Sequence, residues 1–247
     1  MFSDREVERY ARHLVLREIG GPGQQKLKAA RVLIAGVGGV GGPAALYLAA
    51  AGVGRIGLVD DDVVSLSNLQ RQIQFSEADL GRAKTDAARE RLTALNADVD
   101  IEPIERRITA DNARALVHGW DIVIDGTDSF ETRAVVGDAC VAEGATLIAA
   151  AVGRWEVQVA VLKARPCWRC FVPEVPPGAE TCAAAGIVGA LTGVAGSLAA
   201  LAAIKTITGA GDDPTGELLL FDALHWRSRS VTITADPHCM VCGPRAQ

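Results

Sequence analysis

The sequence predicts an α/β protein built on one doubly wound sheet, parallel in its N-terminal part and continued by antiparallel strands. Three observations predict it. Short apolar runs alternate with helical patterns from residue 31 to residue 152, the rhythm of a parallel sheet with crossover helices. A glycine-rich turn, Gly36-Val37-Gly38-Gly39-Val40-Gly41, follows the first apolar run and opens a helix. Beyond residue 152 the apolar runs are joined by links too short for a crossover helix, which implies antiparallel pairing. Together these describe a Rossmann-like architecture in a single domain, 1–247, with a helical arm (1–30), a nucleotide-binding half (31–152) and a C-terminal half (153–247).

Each element has a local reason. Tyr10, Leu14 and Ile19 fall at roughly helical spacing, until GGPG at 20–23 breaks the pattern. RVLIAG (31–36) is an apolar run of strand length ending in glycine, and PAALYLAAAG (43–52) is a helix that Gly52 stops. RIGLVD (55–60) is the second strand. A helix over 79–95, the strand VDIEPI (99–104) and a short helix over 111–118 follow. DIVIDGTD (121–128) is a strand running into a polar turn, then come a helix over 132–143 and the strand ATLIAAAV (145–152). EVQVAVL (156–162), ELLLFDAL (217–224) and SVTITA (230–235) supply the antiparallel part, with an Ala/Gly helix over 183–204 between them.

Composition narrows the function. The 25 basic and 30 acidic residues leave a net charge of −5, which argues against a nucleic-acid binder with its basic face. With 49% hydrophobic residues the chain buries a sizeable core, and with only 4% aromatics that core is made of small aliphatic side chains. The start, MFSDREVERYARH, is charged from its fourth residue and has no apolar signal core, so a cytoplasmic protein is expected. Residues 181–204 carry no charge and are long enough to span a bilayer, with Gly189 and Gly193 at GxxxG spacing. They are mostly Ala and Gly, and the cysteine pairs flanking them are expected to share one metal. A tightly packed buried helix is therefore expected, not a membrane span.

Four constellations carry chemistry. In the glycine loop, Gly36, Gly38, Gly39 and Gly41 let the backbone turn sharply and approach a phosphate at a helix N-terminus. Asp60 ends the next strand, where a carboxylate reaches a ribose hydroxyl. This pattern does not separate NAD from ATP. The second constellation is the polar loop from Asp60 and Asp62 through Ser67, Asn68, Leu69, Gln70 and Arg71 to Gln72, followed by Lys84. Arginine and lysine together here suit a triphosphate, whose charge cations must neutralise in the transition state; a solvated loop has the same composition. The third is Asp125-Gly126-Thr127-Asp128-Ser129 at another strand end. Its carboxylates suit Mg²⁺, and Ser129 equally suits a helix cap. The fourth is Cys167-Trp168-Arg169-Cys170 with Cys239-Met240-Val241-Cys242. Two CxxC pairs supply four thiolates for structural Zn²⁺ and staple the mid-chain to the C-terminus. Cys140 sits in an apolar helical stretch as inert core. Cys182 precedes the Ala/Gly helix and is either a nucleophile activated by the helix N-terminus or a buried cap residue.

In this order, RYARH, GVGGVG, SLSNLQRQ, GRAK, DGTD, CWRC, TCAAAG and CMVC resemble the MoeB/ThiF/HesA family, relatives of the ubiquitin-activating enzymes, over essentially the whole chain. The resemblance implies an adenylyltransferase: the C-terminal glycine carboxylate of a small ubiquitin-like sulfur carrier, MoaD- or ThiS-like, attacks the α-phosphate of ATP. It implies that Gly39 contacts nucleotide, Asp60 holds the ribose, Asn68, Arg71 and Lys84 engage phosphates, and Asp128 binds Mg²⁺. It also implies a homodimer in which Arg12 reaches the partner's active site, with the C-terminal half binding the carrier. No fused rhodanese domain is expected after Cys242. Two positions depart from the family pattern: Ser129 stands where Asn is usual, and Val157 where Gly is usual. The PPG loop before Cys182, DALHWRSR and DPHCMVC resemble the molybdopterin branch, whereas PAALYLAAAG resembles the thiamine-thiazole branch. An NAD-dependent oxidoreductase is the alternative from another class. It leaves the Arg/Lys loop, the tetracysteine set and the lack of a substrate domain unexplained.

Overall fold

A computed structural model describes residues 2–174 and 186–244. Helix α1 (Asp4–Arg9) begins at a reciprocal cap: Ser3 Oγ accepts from the Glu6 amide, and the Glu6 carboxylate accepts from the Ser3 amide. α2 (Ala11–Leu14) follows, and then α3 (Gly20–Ala29). The 20–23 segment thus starts a helix and the break falls just before it. Pro22 lies in the first turn, where its missing N–H has no helical partner to lose.

The order then alternates: β1 (Arg31–Ala35), α4 (Gly41–Ala51), β2 (Arg55–Val59), α5 (Lys84–Leu95), β3 (Asp100–Ile104), α6 (Ala113–Val117), β4 (Ile122–Asp125), α7 (Phe130–Glu143) and β5 (Thr146–Gly153). The later part adds β6 (Glu156–Leu162), α8 (Trp168–Phe171), α9 (Gly189–Thr208), β7 (Glu217–Asp222) and β8 (Arg227–Thr232). One eight-stranded sheet has the order β3-β2-β1-β4-β5-β6-β7-β8. Pairing is parallel from β3 to β5 and antiparallel from β5 to β8, so the expected fold is found.

Alternate residues of each strand feed two apolar layers. Val32 and Ile34 face one layer with α4 and α9, while Leu33 and Ala35 face the other with α7 and α8. α9 packs along α4, β5, β6 and α3. Small residues make that approach possible: a Cβ on Gly196 would meet the Val40 carbonyl. α9 is long and apolar enough to cross a membrane, and its inner face, with Ala195, Ala199 and Ala203, is fully buried against this sheet.

Several boundaries differ from the sequence expectation by a few residues, and three of them have a local reason. α5 starts at Lys84 and not at 79, because Asp79 instead accepts from the Ser76 amide and pairs with Arg82 in a separate 3₁₀ turn. α9 begins at Gly189 and ends at Gly209, which adopts the left-handed cap conformation. Lys205 sits in its last turn, where a cation complements the helix dipole. β8 lies three residues earlier than expected. The link at 223–226 is short, the Asp222 carboxylate accepts from the His225 amide, and the register is set from there.

Candidate active site

Strand order reverses at β1: the chain steps outward to β2 and β3 on one side, then crosses to β4 and β5 on the other, all parallel. Ligands bind beyond the carboxyl ends of strands at such a switch point. A cleft of about 660 Å³ opens there, lined by the glycine loop, the 60–62 and 67–72 segments, Lys84, the 126–129 turn and Thr192. The loop is tight. Gly36 has φ 84°, and a Cβ on Gly41 would fall on the Gly36 carbonyl oxygen. Gly36 N–H donates to Val59, and Gly126 N–H donates to Ala35, so the two strand ends are tied to each other.

Asp60 closes the floor. Its Oδ2 accepts from the Val37 amide at 2.7 Å and its Oδ1 from the Asp62 amide at 2.9 Å. Burial raises the Asp60 carboxyl above the ordinary range, against the pull of Lys84. Lys84, buried to 4% exposure, donates to Asp62 Oδ2 at 2.7 Å and lies 4.0 Å from Asp60 Oδ1. Arg71 donates to the Ser67 carbonyl at 3.1 Å and has no carboxylate partner among the described residues. A buried lysine and an unpaired arginine on one cleft wall are cations available to an anionic ligand.

The sequence-predicted set is largely brought together. Gly36, Gly38, Gly39, Asp60, Asp62, Ser67, Gln70, Arg71, Lys84, Asp128 and Ser129 line the cleft. Gly41 lies behind the loop as the first residue of α4. Asn68 and Leu69 form and follow a 3₁₀ turn without lining the cleft: the Asn68 carbonyl accepts from Arg71 and Gln72, and Leu69 packs on the core. Ser129 has both roles considered for it, lining the cleft and capping α7 through the Thr132 amide at 3.4 Å. Arg12 is exposed on α2 and does not line the cleft of its own chain. Cys182 lies outside the described residues.

The two acidic residues of the 125–129 turn are sorted by burial. Asp125 is fully buried, and its Oδ1 accepts from the Thr127 amide and hydroxyl. Asp128 is exposed in the cleft with no partner among the described residues. A single free carboxylate beside a phosphate site fits Mg²⁺, which takes one or two carboxylates and completes its shell with phosphate oxygens and water.

Other residues of the site carry no local sequence signal. Gln74 Nε2 donates to the Val37 and Gly38 carbonyls at 3.0 and 3.1 Å, bracing the glycine loop from behind. Thr192 of α9 donates to the Arg71 and Gly189 carbonyls and lies against Gly39. Arg133 lines the cleft and donates to the Thr127 and Ala150 carbonyls. Only their tertiary neighbours reveal them.

A second cluster lies apart. The Sγ atoms of Cys167, Cys170, Cys239 and Cys242 all fall within 4.8 Å of one another, with pairs at 3.4, 3.6 and 4.0 Å. Zn–S bonds of about 2.3 Å in a tetrahedron place sulfurs about 3.8 Å apart, so the four thiols fit structural zinc. Cys140 is buried in α7, and burial pushes its thiol up, as expected of inert core.

Residues 10–241 match the ThiF family. The adenylyltransferase and sulfurtransferase MOCS3 of Bos taurus is 47% identical over 249 residues, covering 98% of this chain and 54% of that protein. The sulfur carrier protein ThiS adenylyltransferase of Escherichia coli (strain K12) is 43% identical over 244 residues, covering 98% of this chain and 97% of that protein. Among solved structures, E. coli MccB with AMPCPP and MccA superposes with a TM-score of 0.83 at 25% identity, covering 95% of this chain and 74% of that one.

Proposed function

The chain belongs to the ThiF family and is an adenylyltransferase; from that premise we propose that it uses ATP to activate the C-terminal glycine of a ubiquitin-like sulfur carrier in molybdopterin biosynthesis. The observation carrying this reading is the convergence of Arg71, Lys84 and the free Asp128 on the cleft beside the glycine loop. A carboxylate oxygen of the carrier attacks the α-phosphorus. A carboxyl–phosphate bond forms, the α–β phosphoanhydride bond breaks, and pyrophosphate leaves. Both reactants are anionic, so the chemistry needs charge neutralisation more than a general base. Arg71 and Lys84 supply it, Asp60 holds the ribose, and Asp128 would hold a Mg²⁺ ion, which would add to the charge neutralisation. Lys84 starts out paired with Asp62 and exchanges that partner for phosphate.

The molybdopterin assignment is supported by the PPG, DALHWRSR and DPHCMVC segments of the sequence. The ThiS adenylyltransferase relative, matched over almost its whole length, favours the thiazole carrier as a second reading. Carrier-dependent ATP–pyrophosphate exchange with each purified carrier tests both. The first reading expects exchange with the molybdopterin-type carrier only, and exchange with the ThiS-type carrier alone replaces it with the second.

A homodimer belongs to the same proposal. Arg12 is exposed and does not line its own cleft, and α9 leaves Val194 and Leu201 uncovered on its outer side. Both features suit a second copy that receives Arg12 into its cleft. The cytoplasm is the proposed location, and zinc the proposed occupant of the four thiols.

A further inference from the structure

The RYARH stretch at residues 9–13 divides its side chains between two tasks. Arg12 is exposed and makes no hydrogen bond or ion pair among the described residues. Its neighbours are committed inward. Arg9 donates to the Leu95 carbonyl at 3.0 Å. Tyr10 is buried, and its hydroxyl accepts from Asn96 Nδ2 at 2.9 Å. Asn96, fully buried, also donates to the Ala49 carbonyl at 2.8 Å. Gln24, fully buried too, donates from Nε2 to the Ala51 carbonyl at 2.8 Å. That bond orients the amide, so its Oε1 is the acceptor for His13 Nδ1 at 2.9 Å. None of Tyr10, His13, Gln24 and Asn96 leaves a buried polar atom unpaired. Burying two amides is unfavourable unless their bonds are met, and a satisfied network holds one arrangement. What this network holds is the arm. Residues 10 and 13, on either side of Arg12, are tied to the last turn of α4 and to the cap of α5. α4 has 11 residues, so its ends lie about 16 Å apart. The arm is thus mounted at the end of α4 opposite the glycine loop.

We propose that Tyr10, His13, Gln24 and Asn96 form a latch of positioning residues that holds Arg12 in place for the cleft of a second copy of this chain. The inference rests on the homodimer reading of Arg12. It adds a claim which that reading does not make: damage to the latch disables the partner's site and spares the site of the chain that carries it.

The test is the double variant Tyr10→Phe/His13→Ala in the full chain, read by thermal melting and by carrier-dependent pyrophosphate exchange, alone and after subunit exchange with Lys84→Ala. Alone it should exchange pyrophosphate at least tenfold more slowly than wild type while still folded. His13→Asn, whose amide nitrogen donates in place of Nδ1, should recover most of the activity that His13→Ala loses. Each mixed dimer keeps one site with its own Lys84 and an intact arm from the partner. Subunit exchange should therefore raise activity from no more than about one twentieth to about one quarter of wild type. Arg12→Ala mixed with Lys84→Ala is the control. Recovery in the control but not in the latch mixture overturns the latch and leaves the dimer reading standing, because the damage then lies within the chain that carries it. Demonstrated subunit exchange with no recovery in either mixture removes both. Wild-type activity in the double variant alone also overturns the proposal. If the double variant melts below the assay temperature, Tyr10→Phe, which removes one oxygen atom, is mixed in the same way and decided by the same outcomes.

Discussion

The nucleotide cleft and the four-cysteine cluster are both polar centres in an aliphatic protein, and they are built on opposite principles. The cysteine cluster is closed. Four like atoms from two short segments lie within 4.8 Å of one another, three pairs at 3.4 to 4.0 Å, and the Asp236 amide donates to Cys170 Sγ. The cleft is open. Its groups come from nine stretches of chain, and several are left short of partners among the described residues: Arg71, Asp128 and Gln72 Oε1. One centre presents four thiols arranged to close around a single ion. The other keeps bonding capacity in reserve for a ligand that comes and goes. The difference teaches where stability and where turnover should respond to mutation.

The largest effects should separate the two cleanly. Lys84→Ala or Arg71→Ala should lower carrier-dependent pyrophosphate exchange by more than about 100-fold, since each removes a cation from the developing charge. Melting should stay near wild type for Arg71→Ala. Exchange within twofold of wild type in both variants removes them from the mechanism. The converse is Cys170→Ser: metal analysis should show loss of a bound Zn²⁺ and a clear fall in melting temperature. Structural zinc contributes on the order of 10 kcal/mol to folding in small domains. A metal-free wild-type preparation with full activity and stability breaks the comparison outright.

A subtler test asks whether the cleft is finished within one chain. Arg12→Ala and Lys84→Ala proteins should each be nearly inactive. After random subunit exchange half the dimers are mixed, and each mixed dimer carries one intact site, so activity should recover to about one quarter of wild type. Demonstrated exchange with parental activity confines Arg12 to its own chain or to no role.

The smallest effect concerns Asp60. Its carboxyl is raised by burial, so the folded state holds the proton more tightly than the unfolded chain, whose value lies near 3.8. The stability this confers is complete below that pH and is lost as pH rises through the folded value. Asp60→Asn should therefore flatten the acid limb of a melting-temperature profile above pH 3.8 while weakening nucleotide binding. An unchanged acid limb counts against Asp60 as its source.

The same division governs what the sequence disclosed. CxxC pairs are local, so the cysteine cluster was readable from spacing alone. The strands β1, β2 and β4 were readable too, because buried parallel strands are continuous apolar runs. Boundaries failed where polar side chains settled them, as when Asp79 turned to Ser76 and Arg82 instead of leading α5. Gln74, Thr192 and Arg133 were silent because each acts on backbone carbonyls from elsewhere in the chain, and backbone carbonyls have no letter in the sequence. Asn68 shows the reverse: a strong motif residue whose side chain sits outside the cleft lining in this structure.

Thr192 has a consequence for how the protein comes into being. It sits on α9, some 150 residues after the glycine loop, yet lies against Gly39 and holds the Arg71 carbonyl. During synthesis the parallel strands emerge first, at about 5–20 residues per second, and can pair while α9 is still unmade. The glycine loop is then bare on the side α9 will cover, where Val40, Pro43 and Ala44 later meet Gly196. A ribosome-bound chain ending before residue 189 should hold a sheet without a competent phosphate site. Nucleotide affinity should thus appear only late in synthesis, when a distant helix docks.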